Sequence, residues 1–388
     1  MHELLADRVA GFGTSIFSEI TNLAIEHQAV NLGQGFPDFA GPDFVKQAAA
    51  EAIHADLNQY APSPGLPRLR KAIAAQWERL YERAIDWQSE VTVTSGATEA
   101  LANAALALCN PGDKVIVFEP AYDSYVPDLT LAGATPLPVR LHSPDWHFDP
   151  AALRAAFEQR PRAIWLNTPH NPTGKVFGRD ELMLIAELCQ EYDVVAVSDE
   201  VYDQLLFNDA VHVSLAMFPD MWERTLTINS IGKTFSVTGW KIGYAVGPAA
   251  LNHALRQAHQ WVTFATATPL QDAAAAALEQ SAVNGYYDTF RQEYDERRVL
   301  LERILAEVGL STLAIQGSYF LNADISQLGF TDDRAFCRFL ITEIGVAAIP
   351  TSAFYIDPHD ALPLARFCFA KRLETLTAAG ERLQQLKS

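Results

Sequence analysis

The chain reads Asn229-Ser230-Ile231-Gly232-Lys233-Thr234-Phe235-Ser236-Val237-Thr238-Gly239-Trp240-Lys241-Ile242-Gly243 directly after an apolar, β-branched run, and this stretch decides how the rest is interpreted. The preceding run, Thr225-Leu226-Thr227-Ile228, predicts a strand. Ser230 then comes three residues before Lys233, and Lys241 follows eight residues later. A lysine behind a buried strand is commonly a solvated loop residue, so other segments have to show whether these side chains form a site.

An amine, a hydroxyl and a second cation behind one strand are suited to hold a phosphorylated aldehyde cofactor. Lys233 can form a Schiff base with the aldehyde. Ser230 and Lys241 can bind the phosphate. For Lys241 the alternative is a surface charge, although the adjacent Gly239-Trp240 argues against a fully solvated loop.

Composition describes an ordinary globular protein. A length of 388 residues suggests two domains, or one large α/β domain with an appendage. Apolar residues make up 49% and charged residues 20%, so a core can form without disulfides or metals. The four cysteines are far apart and form no C-x-x-C, which favours neither a disulfide framework nor a zinc site. We therefore expect a reducing, cytoplasmic location and no metal centre.

The net charge of −18, from 29 basic and 47 acidic residues, excludes nucleic acids and anionic membranes as expected partners. The N-terminus, Met1-His2-Glu3-Leu4-Leu5-Ala6-Asp7, lacks a basic segment followed by a long apolar one, so we expect neither a signal nor a transit peptide. No uncharged apolar stretch approaches the ~20 residues that span a bilayer.

Strand-like and helix-like segments alternate from about residue 90 to 250. Strands are predicted at 90–94, 114–118, 162–166, 193–197, 225–228 and 242–246, and helices at 100–108 and 179–191. This alternation indicates an α/β fold with a mostly parallel sheet covered on both faces.

Beyond residue 281 the pattern changes to a smaller α+β domain. A long charged helix is predicted at 287–308, short strands near 319–323 and 346–349, and a final helix from about Glu374. We predict a large domain at 45–280 and a small domain formed by both termini, 1–44 and 281–388.

Polar side chains follow five of the predicted strands. In open α/β sheets ligands bind outside the carboxyl ends of the strands, so these segments are expected to share one pocket. They are Ser95-Gly96-Ala97-Thr98-Glu99, Glu119-Pro120-Ala121-Tyr122, Asn167-Thr168-Pro169-His170-Asn171-Pro172-Thr173-Gly174, Ser198-Asp199-Glu200-Val201-Tyr202 and the Ser230–Lys233 stretch.

Each of these segments also has a simpler interpretation. The Ser95 to Thr98 segment opens a helix, where free amides favour a phosphate, but it is also an ordinary helix cap. Asp199 ends an apolar strand, where a cationic ring nitrogen would suit its carboxylate, but a structural ion pair or a cap would too. Tyr202 and Asn171 can bind a ring oxygen and Tyr122 can stack on a ring, although the two tyrosines could instead be core and rim aromatics.

The motifs together resemble a known family. N-P-T-G within Asn171-Pro172-Thr173-Gly174, then Asp199-x-x-Tyr202 and then the Lys233 segment resemble the class I/II aminotransferases, which use pyridoxal 5′-phosphate (PLP). Other stretches resemble the subgroup of kynurenine aminotransferase/glutamine transaminase K and bacterial methionine aminotransferase. They are 31–39, Asn58-Gln59-Tyr60, 234–241 and 366–371, with 259–264 and Thr268-Pro269 closer to the bacterial enzyme. Lys241 stands where the wider class usually has arginine. The subgroup also has lysine at this position.

The resemblance implies fold type I and a homodimer with active sites at the subunit interface. It implies roles for five further residues: Arg366 as the receptor of the substrate α-carboxylate, helped by the backbone of Gly35; Phe17, with Tyr122, as a wall of the side-chain pocket; Tyr60 at the neighbouring subunit's phosphate; and Phe264 approaching from the partner. For Arg366 the alternative is a buried structural arginine. No second arginine is evident for a distal carboxylate, so an apolar or aromatic amino acid fits better than aspartate.

The sequence thus predicts an aminotransferase with ping-pong kinetics, in which Lys233 is the general base and acid and Asp199 stabilises the cofactor cation. Its amino donor would be methionine, phenylalanine, tyrosine, glutamine or kynurenine, and its acceptor a 2-oxo acid. A C–S β-lyase acting on cysteine conjugates remains open on the same scaffold. A PLP-binding regulatory domain and a nucleotide-binding module are less consistent, because the chain has no helix-turn-helix segment and no phosphate-loop motif.

Overall fold

The computed structural model describes residues 4–387, so the first three residues of the predicted N-terminal segment lie outside it. The strands are β1 Val30–Asn31, β2 Val91–Thr94, β3 Lys114–Glu119, β4 Thr135–His142, β5 His147–Phe148, β6 Ala163–Asn167, β7 Val195–Asp199, β8 Thr225–Ser230, β9 Gly243–Val246, β10 Ser311–Thr312, β11 Phe320–Asp324, β12 Val346–Ala347, β13 Ile349–Pro350 and β14 Leu364–Cys368. The α-helices are α1 Asp7–Ala10, α2 Ile16–Glu26, α3 Asp43–His54, α4 Pro67–Tyr81, α5 Gly96–Leu108, α6 Tyr125–Leu131, α7 Pro150–Glu158, α8 Arg179–Tyr192, α9 Ile231–Thr234, α10 Ala249–Val262, α11 Thr268–Ser281, α12 Tyr286–Glu307, α13 Asp333–Phe339 and α14 Leu373–Leu383. A π-helical turn at Leu340–Ile344 extends α13.

The central sheet has eight strands in the order β2-β9-β8-β7-β6-β3-β4-β5. The pairs from β4 through β3, β6 and β7 to β8 are all parallel. Strand β9 runs antiparallel to both of its neighbours, and β5 is an antiparallel edge. The predicted mostly parallel sheet is therefore confirmed, and its parallel strands end at one common edge.

Helices cover both faces of this sheet, as the alternating pattern predicts. Side chains of a strand alternate between faces, so Val115 and Val117 of β3 pack with α5 on one side, while Ile116 and Phe118 pack with α7 and α8 on the other. The strand predicted at 193–197 begins at Val195, because Asp193 adopts a left-handed φ of 54° as the C-cap of α8. The helix predicted at 100–108 already begins at Gly96.

The terminal parts of the chain form a second layer of structure. A four-stranded antiparallel sheet has the order β10-β11-β14-β13, and β1 pairs in parallel with β12. The helices α2, α12, α13 and α14 pack around it in one core that includes Ile20, Leu301, Phe336 and Leu376. Val201, Tyr202, Leu205 and Phe207, which follow β7, also join this core, so packing is continuous from the central sheet to the second layer. The division at 44/45 and 280/281 stays a prediction.

No helix within residues 4–387 is long and apolar enough to cross a membrane.

Candidate active site

A cavity of about 220 Å³ lies at the carboxyl ends of β6, β7 and β8, beside the N-terminus of α5. Most of the residues singled out in the sequence line it. They are Phe17, Gly35, Gly96, Ala97, Thr98, Tyr122, Asn171, Asp199, Tyr202, Ser230, Lys233, Lys241 and Arg366. Ser95 precedes this lining as the N-cap of α5.

Tyr60 and Phe264 lie outside the cavity. Their rings contact each other edge to face with centroids 5.3 Å apart. Tyr60 is 84% exposed and Phe264 50% exposed, so in a single chain the two form an aromatic pair on the surface.

Lys233 lies in the single-turn helix α9, which begins directly where β8 ends. Its Nζ donates to the Tyr319 hydroxyl at 2.8 Å and approaches the Gly35 carbonyl oxygen at 3.4 Å. Burial disfavours the ammonium form and lowers the pKa of Lys233 to about 8. A substantial part of this amine is therefore neutral near physiological pH and can act as a nucleophile or base.

Asp199 ends β7 and is 4% exposed. Its Oδ2 accepts a hydrogen bond of 2.7 Å from the Tyr125 hydroxyl, and its Oδ1 accepts one of 3.3 Å from the Val201 amide. Burial raises the pKa of Asp199 to about 6, against the opposing effect of the Tyr125 bond. No arginine or lysine forms an ion pair with this carboxylate within the described part of the chain, so it can receive a cationic group of a ligand.

Asn167 and Asn171 connect Asp199 to Arg366. Asn167 Nδ2 donates to the Asp199 carbonyl at 2.9 Å, and its Oδ1 accepts from the Asn171 amide at 2.7 Å. Asn171 Oδ1 in turn accepts from an Arg366 Nη at 2.7 Å. Since its oxygen is occupied by a cation, Asn171 has its Nδ2 donors to offer to a ligand oxygen.

Arg366, on β14, is 1% exposed and surrounded by aromatic rings. Its guanidinium carbon lies 3.9 Å from the ring centroid of Phe320, 4.7 Å from that of Phe354 and 5.3 Å from that of Phe17. Burial lowers the pKa of Arg366 to about 10. The Nε has no hydrogen-bond partner, and no carboxylate of residues 4–387 forms an ion pair with this side chain. A ligand carboxylate would supply the missing partner.

The N-terminus of α5 forms the other end of the cavity. Lys241 Nζ donates to Thr98 Oγ1 at 3.2 Å. A side chain at Gly243 would place its Cβ 2.5 Å from the Ala97 nitrogen, so only glycine lets β9 approach these amides so closely. Free amides, a helix N-terminus and an ammonium group together suit a phosphate.

Three residues of this arrangement had no role assigned from the sequence: Tyr125, Asn167 and Tyr319. Asn167 lies within the turn quoted for Asn171, so its proximity was available from the sequence. The contacts of Tyr125 with Asp199 and of Tyr319 with Lys233 join residues 74 and 86 positions apart, and no local spacing indicates them.

Comparison with known proteins gives one family. The family model of class I and II aminotransferases matches residues 27–383. Methionine aminotransferase of Escherichia coli is 42% identical over 96% of each chain. Human kynurenine–oxoglutarate transaminase 1 is 41% identical over 99% of each chain.

Solved structures agree with this result. The structure of a methionine aminotransferase from Escherichia coli matches with a TM-score of 0.94 and 41% identity, covering 98% of this chain and 99% of the other. N-succinyldiaminopimelate aminotransferase from Mycobacterium tuberculosis matches with the same TM-score at 44% identity, covering 98% of this chain and 100% of the other.

Proposed function

This chain belongs to the class I and II aminotransferases, and on that premise we propose that it transfers the amino group of an apolar or aromatic L-amino acid to a 2-oxo acid with PLP as cofactor. The fold is the fold type I α/β fold of this family. One observation carries the proposal: an amine of lowered pKa, a buried carboxylate and an unpaired buried guanidinium face one cavity.

The residues of the cavity fit PLP at each of its functional groups. The amides of Gly96, Ala97 and Thr98, with Ser230 and Lys241, would hold the phosphate. Asp199 would bind the ring nitrogen, and Tyr122 would stack on the ring. Asn171 Nδ2 and the Tyr202 hydroxyl would bind the ring oxygen, and Lys233 would bind the aldehyde carbon. When bound, PLP supplies an electron sink that stabilises negative charge at the substrate α-carbon.

Lys233 would move the proton. Its lowered pKa of about 8 provides a neutral amine that can remove the α-proton and return it to the neighbouring carbon. In the unliganded protein, the Tyr319 hydroxyl and the Gly35 carbonyl oxygen hold the Nζ. Asp199 would remain an anion beside the ring nitrogen, because the charge of a cationic partner lowers its pKa and so opposes the effect of burial.

The acceptor of the substrate carboxylate would be Arg366, oriented by Asn171 and Gly33. Phe17, Tyr122 and Phe320 form an apolar wall beside it. The charged residues that line the cavity, within residues 4–387, are Asp199, Lys233, Lys241 and Arg366. With Lys233 and Lys241 assigned to the cofactor, one cation is left for substrate, which supports a donor with a single carboxylate.

A homodimer with shared active sites is part of the proposal. The exposed pair of Tyr60 and Phe264 supports it, because a large aromatic pair on the surface is typical of an interface. In the dimer, Tyr60 would reach the partner's cofactor phosphate and Phe264 the partner's substrate pocket. A reducing, cytoplasmic compartment is also proposed, since all four cysteines are free and buried.

An absorption titration tests the proposal. Purified protein with PLP should show a band near ~420 nm that shifts toward ~330 nm on adding L-methionine or an aromatic amino acid, as the cofactor is converted to its amine form. The Lys233→Ala variant should not show the complete shift of the absorption band toward ~330 nm. Absence of a bound chromophore would refute the cofactor assignment. Conversion by N-succinyldiaminopimelate but not by methionine, phenylalanine or kynurenine would refute the donor class. Release of pyruvate and ammonia from a cysteine conjugate, without an oxo acid, would instead show β-lyase activity.

A further inference from the structure

A buried pair of charged side chains joins the start of α5 to the end of α10. His259, in the last turn of α10, is 0% exposed, and its Nδ1 lies 2.5 Å from Glu99 Oε1. Glu99 lies in the first turn of α5, directly behind Thr98. Neither side chain lines the cavity, and the proposed reaction does not use them.

The hydrogen-bond partners of His259 determine its charge. Its Nε2 lies 2.7 Å from the Ser63 carbonyl oxygen, which can only accept, so Nε2 carries a proton. Its Nδ1 faces Glu99, whose oxygens also accept from Asn103 Nδ2 at 2.7 Å and from the Ser95 amide. A carboxylate that receives these donors at a helix N-terminus is stabilised as an anion, so Nδ1 must donate as well. The imidazole is therefore a cation.

Both helix ends favour this ion pair. An anion is stabilised in the first turn of α5, and a cation in the last turn of α10. Burial alone lowers the pKa of His259, but the bond and the charge of Glu99 outweigh burial and raise it. Burial acts to raise the pKa of Glu99, but the hydrogen bond and the charge of His259 outweigh burial, so the pKa of Glu99 is lowered. Arg256 also lies near the imidazole, and its positive charge lowers the pKa of His259. The guanidinium of Arg256 donates to Thr92 Oγ1 and to the Val91 carbonyl oxygen.

We propose that Glu99 and His259 are positioning residues for the cofactor phosphate, an inference that rests on the proposed binding of PLP at α5. Glu99 takes up the Ser95 amide and thereby orients the first turn, leaving the amides of Gly96, Ala97 and Thr98 for the phosphate. A carboxylate so close to a bound phosphate would repel it. His259 cancels that charge, so the carboxylate can orient the helix without weakening anion binding.

The same imidazole also fixes a second segment. Its bond to the Ser63 carbonyl holds the loop that follows Tyr60, and Thr268 Oγ1 donates to the Gln59 carbonyl at 2.5 Å on the other side of Tyr60. Tyr60 is the residue proposed to reach the partner's phosphate. One buried imidazolium thus organises both segments that are assigned to phosphate binding.

The charge can be tested without the cofactor. In ¹⁵N spectra of the unliganded protein at pH 7.5, both ring nitrogens of His259 should carry protons, whereas a histidine with the ordinary pKa of about 6.5 is mostly neutral there. A neutral His259 ring at this pH would overturn the proposal whether or not PLP binds. Failure of the wild-type protein to bind PLP would instead refute the proposed function.

The positioning role is tested by titrating PLP into the cofactor-free variants His259→Gln and Glu99→Gln and into the double variant, and by measuring the dissociation constant of each. His259→Gln leaves the Glu99 carboxylate uncompensated and should weaken PLP binding about tenfold or more. The double variant removes that carboxylate and should bind PLP more tightly than His259→Gln alone. Exposed His253, on the same helix, provides the matched control, and His253→Gln should bind PLP like the wild type. If the losses of PLP affinity in the two single variants simply added in the double variant, the two side chains would act independently, as in mere packing, and the proposal would be overturned.

Discussion

Replacing Arg366 with leucine should separate substrate binding from stability. Burial lowers the pKa of this guanidinium from 12.5 to about 10, so holding the charge in the unliganded protein costs about 3 kcal/mol. Leucine removes that cost but leaves Asn171 Oδ1 and the Gly33 carbonyl oxygen without their donor; the Gly33 bond is long, at 3.3 Å, so the loss is mainly that at Asn171, about 1–3 kcal/mol. Because the two effects nearly cancel, we expect the thermal stability of unliganded Arg366→Leu to change little.

Activity should respond very differently. A carboxylate held by two parallel hydrogen bonds from a buried guanidinium is worth about 3–4 kcal/mol, which corresponds to a loss of about 10²–10³ in kcat/KM. The loss should appear in the half-reaction with L-methionine, followed by the cofactor absorbance. It should be absent with 3-(methylthio)propylamine, the same amine without its carboxylate. The spectrum of bound PLP should not change.

Arg70 offers a matched control for this experiment. It is 6% exposed, burial lowers its pKa to about 10, and its guanidinium donates to the carbonyl oxygens of Val91 and Gln88, away from the cavity. Arg70→Leu also removes a costly buried charge and leaves two acceptors unpaired, so it should change stability about as little as Arg366→Leu while sparing kcat/KM. If Arg366→Leu kept kcat/KM for methionine within threefold of the wild type, the carboxylate role of Arg366 would be wrong.

Four further outcomes follow from the same geometry. Lys233→Ala should lower the single-turnover rate about 10³-fold or more while PLP still binds, measured by rapid mixing; retained turnover would mean another base acts. Tyr125→Phe removes the bond to Asp199 and should raise the pKa of that carboxyl group by about 1–2 in the unliganded protein, measured by ¹³C NMR. Burial raises the pKa of Asp199 from 3.8 to about 6, so the protonated carboxyl group contributes fully to stability below pH 3.8. About 3 kcal/mol of the free energy of unfolding is lost as the pH rises from there through about 6. Asp199→Asn should remove this pH dependence when the free energy of unfolding of the unliganded protein is measured by denaturation at a series of pH values. Lys241→Gln should weaken PLP binding about tenfold with no change in the methionine half-reaction at saturating PLP, and an unaltered dissociation constant would remove Lys241 from the phosphate site.

Several segments that line the cavity could be placed together from the sequence because each is encoded locally. A buried strand followed by a small or polar turn identifies one strand end, and parallel strands bring such ends to one edge. Asp199, Asn171 and Lys233 could therefore be placed together without knowing any long-range contact. Strand β4, which lies next to the edge strand β5, was not predicted for an equally local reason, because Pro136 and Pro138 interrupt its pattern.

What could not be predicted depends on contacts between distant parts of the chain. Tyr125 and Tyr319 are ordinary aromatic residues in sequence, and only the folded chain brings their hydroxyls to Asp199 and Lys233. The charge of His259 is of the same kind, since its two partners come from α5 and from the loop at Ser63. The groups that tune protonation in this site thus come from the tertiary structure, whereas the groups assigned to cofactor and substrate come from local motifs.

The proposed binding of an anionic cofactor and substrate has to be reconciled with the net charge of −18 of the chain, and the local charge distribution does so. Within residues 4–387, three of the four charged residues that line the cavity are basic, and the fourth, Asp199, accepts a hydrogen bond from Tyr125. A phosphate and a carboxylate bound here would be attracted by these nearby groups in a region of low dielectric, while the surface acids are screened over about 8–10 Å. Burial lowers the pKa of Lys233 and Arg366, which shows that their charges are costly in the unliganded protein. Binding the proposed anionic cofactor and substrate would relieve that cost, so the free energy of the unpaired cations would favour the liganded state and contribute to affinity.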